Sequence, residues 1–395
     1  MADPRAERPE EEQPEHGNTA EFQLIDDGDV GEAAVAPETQ PQPQRTGVDD
    51  RAASLVIQTS FLGDMVLTTG LIAELARRGP VDVVATPASA PLLANNPDVR
   101  DVIRYDKRGD ARGLGGLWRT AEQLRKRTND RGPRKVGAAY LAQGSTRSAV
   151  LAVMAGIRER IGFDTSSGSA LYTRRVPYRE DRHHAERLWR LAHPDTTVEP
   201  PRELVRPRLY PGLEEVSQVD GLLTELPDDD TPLVGIAPGS VWATKRWPGY
   251  PELARLLAPH ARLVTIGGVG DAPLAAEIVQ AAGGGGRVLD AMGRLSLLAS
   301  AEMIMRCHVL VTNDSAPQHL ASAMDTPTVA IFGPTVPDFG FGPLASRHVV
   351  VGNATLPCRP CDRHGPERCP LGHWKCMMDV SPMYVAARVH ELLSA

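Results

Sequence analysis

The residues best equipped for chemistry in this sequence stand where short apolar runs give way to turns. The first such place is Thr59-Ser60-Phe61-Leu62-Gly63-Asp64. Asp64 falls at the start of a helix that follows a strand, where a carboxylate reaches a crevice and can take a proton from an acceptor hydroxyl. Gly63 lets the backbone turn sharply and approach a ligand. From position alone, a helix cap or a favourable charge at a helix N-terminus explains Asp64 equally well. The second place is Ala237-Pro238-Gly239-Ser240, followed by Lys245-Arg246-Trp247-Pro248. Backbone amides and the Ser240 hydroxyl can donate to phosphate oxygens, while Lys245 can neutralise charge that grows as a nucleotide leaves. Lysine and arginine ahead of a Trp-Pro turn are also at home on a solvated face. The third is Thr312-Asn313-Asp314-Ser315-Ala316-Pro317-Gln318-His319-Leu320. Here a strand passes into a helix with Pro317 near the first turn, so the amides of Ser315, Ala316 and Gln318 are expected to form an anion site fit for a pyrophosphate. Asp314 as a cap is the competing reading, and His319 is assigned to packing without a catalytic role.

Two further groups invite weaker assignments. Cys358, Cys361, Cys369 and Cys376 are interleaved with His364 and His373, with two, seven and six residues between successive cysteines. The first pair resembles a metal knuckle, and tetrahedral thiolate sites suit structural zinc or iron. The later spacings are unlike the usual paired knuckles, so reduced thiols or a disulfide carry slightly more weight. Arg104, Lys107, Arg108 and Arg112 make a basic strip that could meet acidic sugars or lipid phosphates, although charge runs are more often solvated surface.

These groups need a scaffold, and the apolar pattern supplies one. Ser54 to Gln58, Val81 to Thr86, Val102 to Tyr105 and Val136 to Ala142 read as buried strands of one parallel-sheet domain. A second series reads Leu233 to Ala237, Leu263 to Gly267, Val288 to Asp290, Val309 to Thr312 and Thr328 to Phe332. Strand alternating with helix predicts two doubly wound α/β domains facing a cleft, with ligands beyond the carboxyl ends of the strands. With 395 residues, the chain exceeds what one core usually organises. The expected division is a disordered acidic tail over 1–50, an acceptor-side domain over 51–215, and a nucleotide-binding domain over 216–380 that includes a Cys-rich loop at 355–378. A helix over 381–395, with Ser381 at its cap and Pro382 in its first turn, closes the chain.

Composition narrows the classes. A net charge of -7 argues against a general nucleic-acid binder, and no nucleic-acid partner is expected. No secretory signal and no apolar run of membrane-spanning length is apparent, which predicts a cytoplasmic protein with the basic strip available for peripheral contact with the inner membrane. Five cysteines in a chain this long do not resemble a disulfide framework.

Read together, QTSFLGDMVLTTGL, APGSVWATKRWPGYPELA, LVTIGGVGD and TNDSAPQHLASAMDTPTVAIFGPT resemble glycosyltransferase family 9 in order and spacing, over nearly the whole chain after residue 50. The resemblance implies a GT-B fold, ADP-heptose as donor and a lipopolysaccharide inner-core sugar as acceptor. It also implies Asp64 as catalytic base, with Gly63 beside it in the donor-binding site. Lys245 would contact donor phosphate and sugar, Asp314 the donor heptose, and Ser240, Ser315 and Ala316 the pyrophosphate. Gln143, Ser145 and Arg147 match a segment on the acceptor side. Gly70 departs from the family, standing where many members have proline. The implied reaction is one inverting displacement that requires no cofactor, with domain closure assembling the site. Competing readings are another nucleotide sugar or a protein acceptor on the same fold, a non-catalytic nucleotide-binding module, or a sugar-nucleotide epimerase. Against the last, no G-x-G-x-x-G follows the first strand.

Overall fold

Apolar residues at the expected strand positions pair into two parallel six-stranded sheets, one in each half of the chain. The computed structural model describes residues 52–109, 112–129, 135–195 and 197–394. The acidic tail expected over 1–50 lies outside the described residues.

The first half alternates β1 (Ala53–Gln58), α1 (Leu62–Ala76), β2 (Val81–Ala85), β3 (Asp101–Arg104), α2 (Gly113–Thr128), β4 (Val136–Leu141), α3 (Thr146–Met154), β5 (Glu159–Phe163), β6 (Arg174–Val176) and α4 (His184–Ala192). Its strand order is β3-β2-β1-β4-β5-β6. Two connecting helices follow, α5 (Arg202–Val205) and α6 (Leu213–Leu223). The second half runs through β7 (Leu233–Ala237), α7 (Tyr250–Leu257), β8 (Arg262–Thr265), α8 (Ala272–Ala281), β9 (Val288–Asp290), α9 (Leu297–Arg306), β10 (Val309–Asn313), α10 (Ala316–Met324), β11 (Thr328–Ile331) and β12 (His348–Val351). It ends with α11 (Lys375–Met378) and α12 (Pro382–Ser394), the latter packed on α7, β10 and β11. Its strand order, β12-β11-β10-β7-β8-β9, is that of the first sheet read from the other edge.

Each sheet therefore reverses direction once, between β1 and β4 and between β7 and β10, and the crevice at such a reversal is where open α/β sheets bind ligands. The strands flanking the two reversals carry the principal site residues on the loops that leave their carboxyl ends. Asp64 follows β1, Gln143 follows β4, Ser240 follows β7 and Asp314 follows β10.

What fastens the halves together is apolar. Leu62, Met65, Val66 and Leu71 of α1 share one core with Leu298 and Ile304 of α9 and Leu320 of α10. Burying a leucine of this kind contributes about 1.5–3 kcal/mol. Separate cores fill the outer faces of the two sheets. Gly63 belongs to the inner contact. It lies within α1, and a Cβ there would meet His319 of α10 at 2.6 Å. The expected sharp turn is thus not what requires this glycine; close approach of two helices from opposite halves does. Polar fastenings surround the same seam: Arg206 pairs with Asp325 at 2.7 Å, and Arg202 donates to the carbonyl of Ala345 at 3.0 Å.

Candidate active site

Residues from both sheets line one cleft: Gly63 and Asp64 from the first half, and Ser240, Lys245, Asp314, Ser315 and Ala316 from the second. The structure therefore brings together every residue expected at the base and the donor site. Gln143, Ser145 and Arg147 are not among the residues lining that cleft.

Asp64 enters the cleft from the first turn of α1, whose N-cap position is held by Phe61. Its carboxylate accepts from the Ser60 hydroxyl at 2.5 Å, and the Ser60 backbone amide donates to the Gln58 side-chain oxygen at 3.2 Å. Burial pushes the Asp64 carboxyl above its ordinary range, while the Ser60 hydrogen bond, the nearby His319 and the Phe61 amide pull the other way. A carboxylate made more basic by burial and held by one hydroxyl suits proton abstraction.

The second half's side of the cleft is more tightly built. Lys245 Nζ donates to Asp314 Oδ2 at 2.8 Å, and Thr335 Oγ1 donates to the same oxygen at 2.7 Å. Both ionic partners are buried, at 9% and 8% exposure. Lys245 is thus not on a solvated face but is one end of a buried ion pair. The other end of that pair is a second expected donor ligand. Asn313, the last residue of β10, fastens the segment that runs from β7 into α7. Its side-chain amide donates to the carbonyl of Pro238 at 2.7 Å, and its oxygen accepts from the Trp247 amide at 3.2 Å and the Tyr250 hydroxyl at 3.1 Å.

Helix α10 begins in the cleft, with Ser315 at its N-cap position and no side-chain cap. One detail of the expected anion site changes. The Gln318 amide donates to the Ser315 carbonyl at 3.1 Å, so it faces the helix and not a ligand.

On the acceptor side, each expected residue has a local partner. Thr59 donates to Gln143 at 2.5 Å. Ser145 caps α3, accepting from the Ser148 amide at 3.2 Å. Arg147 donates through Nε to the Tyr105 hydroxyl at 2.5 Å and through Nη2 to the Gly113 carbonyl at 3.0 Å.

Several cleft residues carry no functional role in the sequence reading, His319 being assigned there to packing alone. His319 lies among Asp64, Asp314 and Lys245; burial lowers its pKa against the pull of the two carboxylates, and its buried Nδ1 has no hydrogen-bond partner among the described residues. Phe339 and Phe341 line the wall, as do Arg363 and His364 from the Cys-rich loop. His364 comes within 6.2 Å of the Phe61 ring and 6.4 Å of Trp242, so it touches both halves. Phe61 is adjacent to the Asp64 motif and could have been singled out there. Nothing in the sequence connects residues near 340 or 364 with residue 64.

The Cys-rich loop is fastened mainly by its own backbone and by Arg359. That guanidinium donates to the carbonyls of Asn353 at 2.5 Å, Phe332 at 3.0 Å and Thr335 at 2.8 Å. The Cys361 amide donates to the Pro334 carbonyl at 2.9 Å, and Thr244 bonds the Pro366 carbonyl. Cys358, Cys361, Cys369 and Cys376 are free thiols, close enough for Cys358 and Cys369 to help raise the Cys361 pKa, after burial. Among the described residues, no group of three or more His, Cys, Asp or Glu side chains is arranged to hold a metal ion. As they stand, the four cysteines are neighbours and not a ligand set.

Comparison with known proteins agrees with this architecture. The lipopolysaccharide heptosyltransferase 2 of Salmonella typhimurium is 29% identical over 86% of this chain and 98% of its own. The solved structure of Escherichia coli ADP-heptose lps heptosyltransferase II superposes with a TM-score of 0.69 at 26% identity, covering 87% of this chain and 98% of that one. A family 9 glycosyl transferase from Veillonella parvula gives a TM-score of 0.74 at 21% identity, over 89% and 99% of the two chains, which speaks to the fold alone. The family model described as glycosyltransferase family 9 (heptosyltransferase) matches residues 119–374. With two facing parallel sheets, a carboxylate from one and a paired lysine and aspartate from the other, this chain belongs to glycosyltransferase family 9, the heptosyltransferases.

Proposed function

We propose that the protein transfers heptose from ADP-heptose to a sugar of the lipopolysaccharide inner core, with inversion at the anomeric carbon. The observation that carries this reading is the convergence in one cleft of Asp64 with the Lys245–Asp314 pair and the start of α10. Asp64 takes the proton of the acceptor hydroxyl as that oxygen attacks the anomeric carbon. The bond to the ADP oxygen breaks on the opposite face, and the electron pair leaves with ADP. The amides of Ser315 and Ala316 and the Ser240 hydroxyl receive the pyrophosphate, and Asp314 holds the sugar. Lys245 serves both, neutralising phosphate charge while it orients Asp314. Gln143, Ser145 and Arg147 stand on the acceptor side of the same sheet end. No step requires a cofactor. Closure moves the outer walls on this reading, because α1 and α10 already meet at the floor through Gly63 and His319.

For the Cys-rich loop we propose a structural part, bracing the wall that carries Arg363 and His364. A structural zinc or iron there would need the four Sγ atoms to draw together from their present positions. Elemental analysis of protein purified without affinity nickel distinguishes the two arrangements: near one equivalent of either metal selects the metal, and under about a tenth selects free thiols.

The test of the function is purified enzyme with ADP-heptose and a panel of truncated lipopolysaccharide acceptors, read by mass spectrometry. Addition of one heptose to an inner-core acceptor is expected. Transfer from a different nucleotide sugar, or to protein only, would replace the donor or the acceptor in this reading; no transfer at all would overturn it.

A further inference from the structure

Helix α2 packs one face and leaves another uncovered. Leu117, Ala121 and Leu124 are buried in the core of the first half. Leu114 and Trp118, one turn apart on a different face, are 84% and 60% exposed. Arg125 continues the same stripe two turns beyond Trp118 and is also exposed. Two large apolar side chains at i and i+4, contributing little to the fold, form a surface that water solvates poorly.

The charge around this stripe is mostly positive, with Glu122, one turn beyond Trp118, as the exposed acid on the helix. Arg112 precedes the helix, Arg119 and Lys126 lie on the neighbouring exposed face, and Lys107 and Arg108 stand in the turn before it. Burial lowers the Lys107 pKa, and so do Arg108 and Arg147, which shows how closely these cations crowd. Nearby acids are engaged: Asp101 pairs with Arg127 at 2.5 Å, Asp106 accepts the amides of Arg108 and Gly109 at 3.0 and 2.8 Å, and Glu122 lies 3.8 Å from Lys126. The helix also begins at the functional end of its sheet, because α2 leaves the carboxyl end of β3. Arg147 ties it there through the Gly113 carbonyl at 3.0 Å. A cationic collar around exposed leucine and tryptophan complements an anionic bilayer, where tryptophan favours the headgroup boundary.

We propose that the first turns of α2 dock on an anionic lipid surface, Leu114 and Trp118 entering the headgroup boundary while Arg112, Arg119 and Arg125 meet lipid phosphates. The cleft is thereby held over the bilayer. That this presents a membrane-borne acceptor to Asp64 rests on the function proposed above; the docking itself does not.

Co-sedimentation of the full chain with vesicles of 30% phosphatidylglycerol in phosphatidylcholine, against phosphatidylcholine alone, tests the docking. Binding to the anionic vesicles and its weakening by salt are expected. The double variant Leu114→Gln/Trp118→Gln should lower partition about tenfold or more, and Arg119→Gln/Arg125→Gln should lower it less and remove most of the salt dependence. Both changes lie on exposed positions, and an unchanged thermal melt verifies the fold. The apolar variant should transfer normally to a delipidated, water-soluble core acceptor and poorly to the same acceptor embedded in vesicles. Failure of the wild type to bind anionic vesicles would overturn the docking while leaving transfer to the soluble acceptor intact. Absence of transfer to any acceptor, with vesicle binding intact, would instead overturn the proposed function. A lower sedimenting mass for the apolar variant without lipid, together with no vesicle binding by the wild type, would identify the stripe as a contact with a second copy and also sink the proposal.

Discussion

The two halves of this protein share a strand order, yet the ends of their sheets are built on opposite plans. In the second half, polar side chains from separate loops bind one another while buried: Lys245 holds Asp314, Thr335 holds the same carboxylate, and Asn313 fastens the segment that runs from β7 into α7. In the first half, the corresponding polar groups satisfy near neighbours in sequence or the adjoining loop, as with Ser60 and Asp64, Thr59 and Gln143, or Ser145 and Ser148. The same topology supplies the same place for a site, and the loops decide its chemistry. On the proposed function, the second half receives a pyrophosphate and gains from charges fixed in advance in a water-poor setting. The first half, receiving on the same proposal a bulky acceptor and one proton, needs a single basic group and an open approach.

The comparison breaks most sharply at Asp64. Asp64→Asn keeps the side-chain size and an acceptor for Ser60 but removes the base, so turnover should fall by about 10² to 10⁴-fold. Melting temperature and ADP affinity should stay near wild type, measured by scanning calorimetry and titration. Near-normal turnover would reduce Asp64 to a local helix-start residue.

Lys245→Ala is expected to behave differently, losing stability as well as ligand. It leaves Asp314 buried with only Thr335 as a partner, and breaking a buried pair costs about 3–5 kcal/mol, with the low end appropriate to a pair that borders a cleft. ADP affinity should fall too. Unchanged denaturant midpoints for this variant would mean that the donor half is no more preorganised than the acceptor half.

The seam between the halves should respond to acid. His183 and His184, at the start of α4, are held neutral by burial, each with its pKa lowered to about 3. His183 meets the Gly342 carbonyl at 3.0 Å, and His184 stacks on Phe341 at 4.9 Å, so both touch the wall of the second half. In the unfolded chain both titrate near 6.5, so below that pH the unfolded state binds more protons than the folded state. Their contribution is fully present above about 6.5 and is lost as pH falls toward about 3. From pH 6.5 to 5 the loss should be about 1.6 kcal/mol for each histidine. His183→Asn retains a capping group, and with His184→Phe it should flatten the stability profile over this range; an unaltered slope would place the acid sensitivity elsewhere.

The smallest effect is expected at Ser145. As the cap of α3, its replacement by alanine should cost about 1 kcal/mol of stability. Acceptor binding by this hydroxyl would add a rise in acceptor KM, whereas a cap alone would leave KM unchanged, so steady-state kinetics on Ser145→Ala sharpen how much of the acceptor half is recognition.

Legibility in the sequence followed apolar content more than place in the sheet, since the edge strands β3 and β9 were readable and the inner strand β5 was not. β1, β2, β4, β7, β10 and β11 are mainly apolar segments inside the two sheets, and each was readable from composition over a few residues. β6, with Arg174-Arg175-Val176, and β12, beginning at His348, lie on sheet edges, where one side of the strand faces solvent and the apolar signal weakens. β5 lies inside the sheet between β4 and β6, and the charges of Glu159-Arg160 at its start hide it.

By itself, the sequence determined the alternation of strand and helix, the loops that must carry Asp64, Lys245 and Asp314, and the family. Those depend on short-range pattern, because a buried strand must be apolar and a phosphate loop needs small residues and donors close together. Tertiary structure alone decided that Lys245 spends its charge on Asp314, that Gly63 makes room for His319, and that His364 reaches Phe61 from a loop three hundred residues away. It also decided that Leu114 and Trp118 face outward while Leu117 and Leu124 face in. Each of these outcomes depends on which surfaces meet once two sheets are packed, and the free energy of such contacts belongs to pairs of residues that no local pattern joins.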